Sequence, residues 1–185
     1  MIVERTPPAT LPVTIEAVRR HLRIEGTHAD ALLADLIGAA AADLEGQAML
    51  ALVAQTVRVT WPDGIPAGTG KLRLPIGPLI APAAPVTMTV DGEAFADFVV
   101  LPGPRPCLRL TVNPPELTRA VVAVEYTAGW PGAVPDDLAF AVIDQAAVLF
   151  DAGSATLMKD RALDGRAALS PAFQRAVGRW RGVAV

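Results

Sequence analysis

The chain has 185 residues, enough for one domain with a real core or a small core with appendages. Hydrophobic residues make up 52% but aromatics only 5%, so the core is built from small side chains, and the net charge of −3 gives no global case for nucleic-acid binding. Asp35, Asp43 and Asp144 interrupt the longest apolar runs, which excludes a membrane span, and the start MIVERTPP lacks a basic region followed by an apolar one.

Residues 1–12 carry Pro7, Pro8 and Pro12 and no periodicity, so they read as an extended arm that is ordered only if something holds it. Thr14 is placed to cap a helix over 15–24, with Val13 and Val18 as a hydrophobic staple and Gly26 as its end. Thr27 is then expected to cap a second helix over 27–46. Its stripe is Leu32, Leu33, Leu36, Ile37 and Leu44, and the small run 39–42 would allow another helix to approach closely. From Val53 the period changes to two. Short strands are expected at 55–61, 71–75, 86–90, 95–101, 107–112 and 120–127, with Asp91-Gly92 as a two-residue hairpin turn. The loop 62–70 reads as a flexible hairpin tip, and 76–85 is proline-rich.

The corner Ala128-Gly129-Trp130-Pro131-Gly132 breaks the last strand. Pro135, Asp136 and Asp137 suit the start of a helix over 135–151. Beyond Asp151 the periodicity weakens. Ser170 and Pro171 then open a short amphipathic helix over 170–181, with Phe173, Val177 and Trp180 on one side and Arg175 and Arg179 on the other. A helix this short is marginal alone in water, so it must dock on its own domain, a neighbouring subunit or another protein. Tryptophan is enriched among interface anchors, which favours an intermolecular contact through Trp180. The arginines Arg161, Arg166, Arg175, Arg179 and Arg181 suit a solvated face, an acidic partner or DNA phosphates alike. The fold expected is α+β: a small helical bundle with an inserted antiparallel β-region over 53–127 and a C-terminal docking helix. The helical and β parts form one domain over 1–151, and 152–185 form an extension.

Chemistry is sparse. The stretch GIPAGTGK at 64–71 fails as a phosphate loop, because Ile65 stands where a glycine is needed and Leu72 where Ser or Thr is needed. His21 and His28 have no partners at metal-ligand spacing, Asp136 and Asp137 do not face each other on a helix, and Ser154 and Ser170 lack a nucleophile elbow. Cys107, the single cysteine, reads as a half-buried small hydrophobe. No catalytic, cofactor or metal site is expected, and the chain is read as not an enzyme. A small ligand- or protein-binding module, or an enzyme of unrecognised chemistry, remain the alternatives.

The segments 14–24 (TIEAVRRHLRI), 30–45 (DALLADLIGAAAADLE), 55–61 (QTVRVTW), 72–78 (LRLPIGP) and 124–138 (VEYTAGWPGAVPDDL), in this order, resemble the head–tail connector family. These are the adaptor proteins of long-tailed phages and of phage-derived gene transfer agents. The resemblance covers roughly 14–150. It implies a homo-oligomeric, dodecameric ring at the head–tail junction of a virion or phage-like particle, assembled in the bacterial cytoplasm. It also implies a portal protein on one side, a stopper or terminator protein on the tail side, and DNA passing through the channel without sequence-specific binding. In such adaptors the C-terminal segment reaches the portal, so Phe173, Arg175, Val177, Arg179, Trp180 and Arg181 are the candidate portal contacts. Gly129, Trp130 and Pro135 are read as a structural corner. The loops 62–70 and 76–85 are the candidates for the tail side.

Overall fold

A computed structural model describes residues 1–79, 85–112, 115–157 and 169–181. Arg161, Arg166 and part of the 76–85 loop lie outside the described residues. The fold is α+β, in two units. One comprises Met1–Pro8 and Val53–Pro131, the other Ala9–Leu52 and Gly132–Val185. The C-terminal helix therefore belongs to the helical unit rather than to a separate extension.

The named strands of the first unit all pair antiparallel. A five-stranded sheet has the order β1 (Ile2–Arg5), β2 (Gln55–Trp61), β8 (Val122–Ala128), β4 (Thr87–Val90), β5 (Glu93–Ala94). A three-stranded sheet has the order β3 (Lys71–Arg73), β7 (Cys107–Leu110), β6 (Phe98–Leu101). The alternation of β2 and β8 decides their register: Val57 stands opposite Tyr126 and Val59 opposite Val124, all four buried. A slip of one residue would turn this set to solvent. The N-terminal arm is held as the edge strand β1, with Val3 opposite Val59.

Two expectations for the β-region are corrected. The run 95–101 is not one returning strand. At Asp91 and Gly92, both with positive φ, the chain turns back into β5, then crosses to the other sheet and resumes as β6. The loop 62–70 is not a hairpin tip either, because β2 and β3 belong to different sheets. Its start is anchored: Ile65 is buried, and its N–H donates to the Leu117 carbonyl at 2.8 Å.

The second unit holds α1 (Ile15–Leu22), α2 (Asp30–Ala48), α3 (Asp136–Leu157) and α4 (Pro171–Trp180). The central helix α3 packs against α1, α2 and α4. Thr14 caps α1 as expected, its Oγ1 accepting from the Ala17 N–H at 3.2 Å. The end of α1 comes earlier than Gly26: Arg23 takes the left-handed conformation and its N–H reaches the carbonyls of Arg19 and Arg20. Nor does Thr27 cap α2 with its side chain. The cap position is Ala29, with no side-chain hydrogen bond, and the Thr27 carbonyl instead accepts from the Asp30 N–H. Arg19 bridges this turn, donating to the Gly26 carbonyl and pairing with Glu16 and Asp30. The helix α3 runs six residues past its expected end, straight through Gly153. The core of this unit is mostly small and aliphatic, with Val18, Leu33, Ile37, Leu44, Leu138, Val142, Ala146 and Phe173 fully buried.

Candidate functional site

Of the three docking options for the C-terminal helix, the structure takes the first. Ser170 caps α4, its Oγ accepting from the Phe173 N–H at 3.1 Å, and Pro171 occupies the first turn. The cap itself is buried and tied to α3: the Ser170 N–H donates to Oε1 of Gln145 at 2.9 Å. At the other end the Trp180 indole donates to Oδ2 of Asp137 at 2.9 Å, and Arg179 pairs with the same carboxylate at 3.2 Å. Since α4 begins at Gln145 and ends at Asp137, it runs antiparallel to that part of α3. Between these ends Ala172, Phe173 and Ala176 face inward and are buried.

The six candidate contacts therefore separate. Phe173 has no exposed surface, Val177 and Trp180 are half-buried, and Arg175, Arg179 and Arg181 are exposed. Phe173 is thus taken up by the helix's own unit. The reason is that α4 packs on both α2 and α3, and Phe173 is fully buried there. Arg175 and Arg179 are exposed on α4, Arg179 while paired with Asp137, and the exposed Arg181 follows as the C-cap. Gln145 and Asp137 are the partners that sequence reasoning missed. Gln145 carried a signal: it is an amide amid the apolar positions of α3, and it is 1% exposed. A buried polar side chain needs a hydrogen-bond partner, which Ser170 supplies.

The corner residues sit in the first unit and at its exit. Gly129 has φ +107 and packs on backbone: a β-carbon there would lie 2.3 Å from the Val53 carbonyl oxygen. Its N–H donates to the Pro78 carbonyl, and the Trp130 carbonyl accepts from Ala54. Trp130 is half-buried. Pro135 stands just before α3 rather than in its first turn, and its carbonyl accepts from Leu138 and Ala139. Two residues before the corner, the buried Tyr126 hydroxyl donates to the Ile76 carbonyl at 3.0 Å and accepts from the Ile76 N–H at 3.2 Å. Burial pushes this phenol well above its usual pKa. Strand β8 and the corner that follows it thus hold the 75–79 loop, through the Tyr126 hydroxyl and the Gly129 N–H.

Among the described residues no group of three or more His, Cys, Asp or Glu could hold a metal ion, and no helix is long and apolar enough to cross a membrane. His21 lies against Asp144 at 3.7 Å and edge-on to Phe140, joining α1 to α3.

No protein-family model matches the chain, and no curated protein matches its sequence. Solved structures do. A chain in the virion of a native gene transfer agent particle superposes with a TM-score of 0.73 at 25% identity, covering 100% of this chain and 97% of that one. A chain in the neck of an empty gene transfer agent particle, computed with C6 symmetry, gives the same values. One in the neck of a native particle, computed with C12 symmetry, gives 0.71 at 26% identity. Over its whole length the chain is thus similar to a component of the gene transfer agent neck, the same resemblance that its sequence carries.

Proposed function

We propose that the chain is a structural, non-enzymatic subunit of the neck of a gene transfer agent or related phage-like particle, at the head–tail junction. The carrying observation is the similarity over the full chain to neck components, in structures computed with C6 and C12 symmetry. In this reading copies form a ring beneath the portal, a stopper or terminator protein sits on the tail side, and DNA passes through the channel. Low net charge suits such a channel, because strong phosphate neutralisation would give tight, salt-dependent binding. The portal side is assigned to Arg175 and Arg179 on the exposed side of α4 and to Arg181 at its C-cap, with Val177 and Trp180 at the margin. Phe173 supports that side from beneath.

The test is electron microscopy of the purified protein alone and mixed with its portal, together with a pull-down by the portal. Rings on the portal are expected, and Arg175→Glu is expected to weaken capture without changing the circular dichroism. A chain that forms no ring in either preparation overturns the reading. Equal capture of Arg175→Glu and wild type overturns the assignment of the α4 arginines.

A further inference from the structure

Two exposed faces are left unused by the contacts described so far. On the five-stranded sheet Glu4, Arg58 and Glu125 stand opposite one another across β1, β2 and β8, so the charges alternate. On the three-stranded sheet the pattern is reversed. Lys71 stands directly opposite Arg109, both exposed, and Arg73 lies on the same side two residues along. Like charges directly opposed on a sheet destabilise it. Among the described residues neither Lys71 nor Arg109 makes an ion pair. The same side carries Val99, 40% exposed, opposite Arg109. This face is both cationic and apolar.

The second face is on α2. Its buried stripe points into the helical unit, but Leu32, Asp35, Ala39, Ala42 and Gly46, spaced three and four apart, are all exposed, as is Met49 at the C-cap. Leu32 is 51% exposed and Met49 47%. Asp43, beside this seam, is also exposed, and α2 has no basic residue at all. Asp35 and Asp43 make no ion pair among the described residues. This face is acidic and apolar, and its middle is flat because the side chains there are alanine and glycine.

Neither face suits its own copy, since like charges would meet. Each suits the other: cations against carboxylates, Val99 against Leu32 or Met49, and long Lys and Arg stems across a flat helix surface. A contact between two different faces of identical chains is heterologous, the type that closes into a ring. We propose that the Lys71–Arg109 face of one copy packs on the Asp35–Asp43 face of α2 in the next. The mixed apolar character favours a protein partner over nucleic acid for the sheet face. This inference rests on the ring reading above.

A charge swap tests it. Self-association of the full-length chain is measured by sedimentation and by counting rings in micrographs, with circular dichroism as a folding control. Asp35→Lys with Asp43→Lys, and separately Lys71→Asp with Arg109→Asp, are each expected to weaken association by about tenfold or more. Combining all four substitutions is expected to restore it, because the complementary charges have only exchanged places. Rings in the wild type with no loss in either double variant, or with losses that the combination does not repair, overturn the pairing and leave the ring reading standing. So do normal rings in Lys71→Asp/Arg109→Asp accompanied by lower affinity for a double-stranded DNA fragment, which would make the sheet face a nucleic-acid contact. A wild type that forms no ring, alone or with the portal, removes the ring reading and this inference together.

Discussion

Phe173→Ala measures whether α4 belongs to its own unit. The side chain is fully buried, and the other buried residues of α4 are only Ala172 and Ala176, with Val177 and Trp180 half-buried. Truncating a buried phenylalanine costs about 3–5 kcal/mol. A ten-residue helix is marginal in water without the packing of its apolar face. The variant should therefore loosen α4 from α3. In hydrogen exchange the amides of 174–181 should lose protection while those of α1, α2 and the first half of α3 keep it. Denaturant unfolding should show a loss of about 3 kcal/mol or more. Phe173→Leu, which keeps most of the volume, should cost less than about 1.5 kcal/mol and retain the protection. If Phe173→Ala stays within about 0.5 kcal/mol of wild type, as substitutions at unconstrained surface sites do, the helix is not docked in solution and the reasoning fails.

Three further outcomes follow from the corner and the cap. Gly129→Ala combines positive φ with a β-carbon 2.3 Å from the Val53 carbonyl oxygen, and backbone strain alone costs about 1–3 kcal/mol; a melting temperature equal to wild type would contradict this packing. Tyr126→Phe leaves the Ile76 N–H and carbonyl without the hydroxyl and should cost about 1–3 kcal/mol by denaturant titration. Because the folded phenol titrates above the unfolded one, its contribution is complete below about pH 10 and is lost as pH rises beyond that. The alkaline loss of stability should thus be shallower in Tyr126→Phe than in wild type, and identical slopes would refute the burial argument. Ser170→Ala removes the cap from the Phe173 N–H and should cost about 1 kcal/mol, whereas Ser170→Asn should recover part of it; no difference between the two would exclude a capping role.

The elements that sequence reasoning placed well are those with a local cause. Strand β2 was bounded to the residue by its alternation, and Thr14, Ser170 and Pro171 announced two helix starts. Expectations failed where a long-range contact decides. Nothing local shows that Phe98–Leu101 pairs in a different sheet from the Glu93–Ala94 that precedes it, because it has a strand composition wherever it pairs. Nothing local shows that the arm around Val3 finds the edge of β2. The end of α1 at Arg23 was missed because arginine rarely adopts positive φ, and only the two carbonyls that its N–H reaches compensate for it. At the candidate site the amphipathic face of α4 was legible, but its partner was not. A face of Phe173, Val177 and Trp180 looks the same whether α3 or another protein covers it.

That ambiguity has a second form, which is open to a direct test. In the proposed function α4 is next to the portal, and it can meet the portal in two ways. It can stay on α3 and offer its arginines, or it can leave α3 and offer Phe173. The energetics of the two differ in sign. If α4 must leave, the binding-competent state is a minor one, and apparent affinity is reduced by its population. Each 1.4 kcal/mol of docking free energy then lowers affinity tenfold. Weakening the dock from the α3 side, at a residue buried beneath α4, should in that case strengthen portal binding. Gln145→Ala is such a change: it removes the acceptor of the Ser170 N–H and touches no outward surface. If α4 stays docked, the same substitution loosens the platform that holds Arg175 and Arg179 and leaves affinity equal or lower. The exposure of the arginines and the complete burial of Phe173 lead us to expect the second result. A rise in portal affinity for Gln145→Ala, measured against the folded wild type in the same titration, would show instead that the helix is released on assembly.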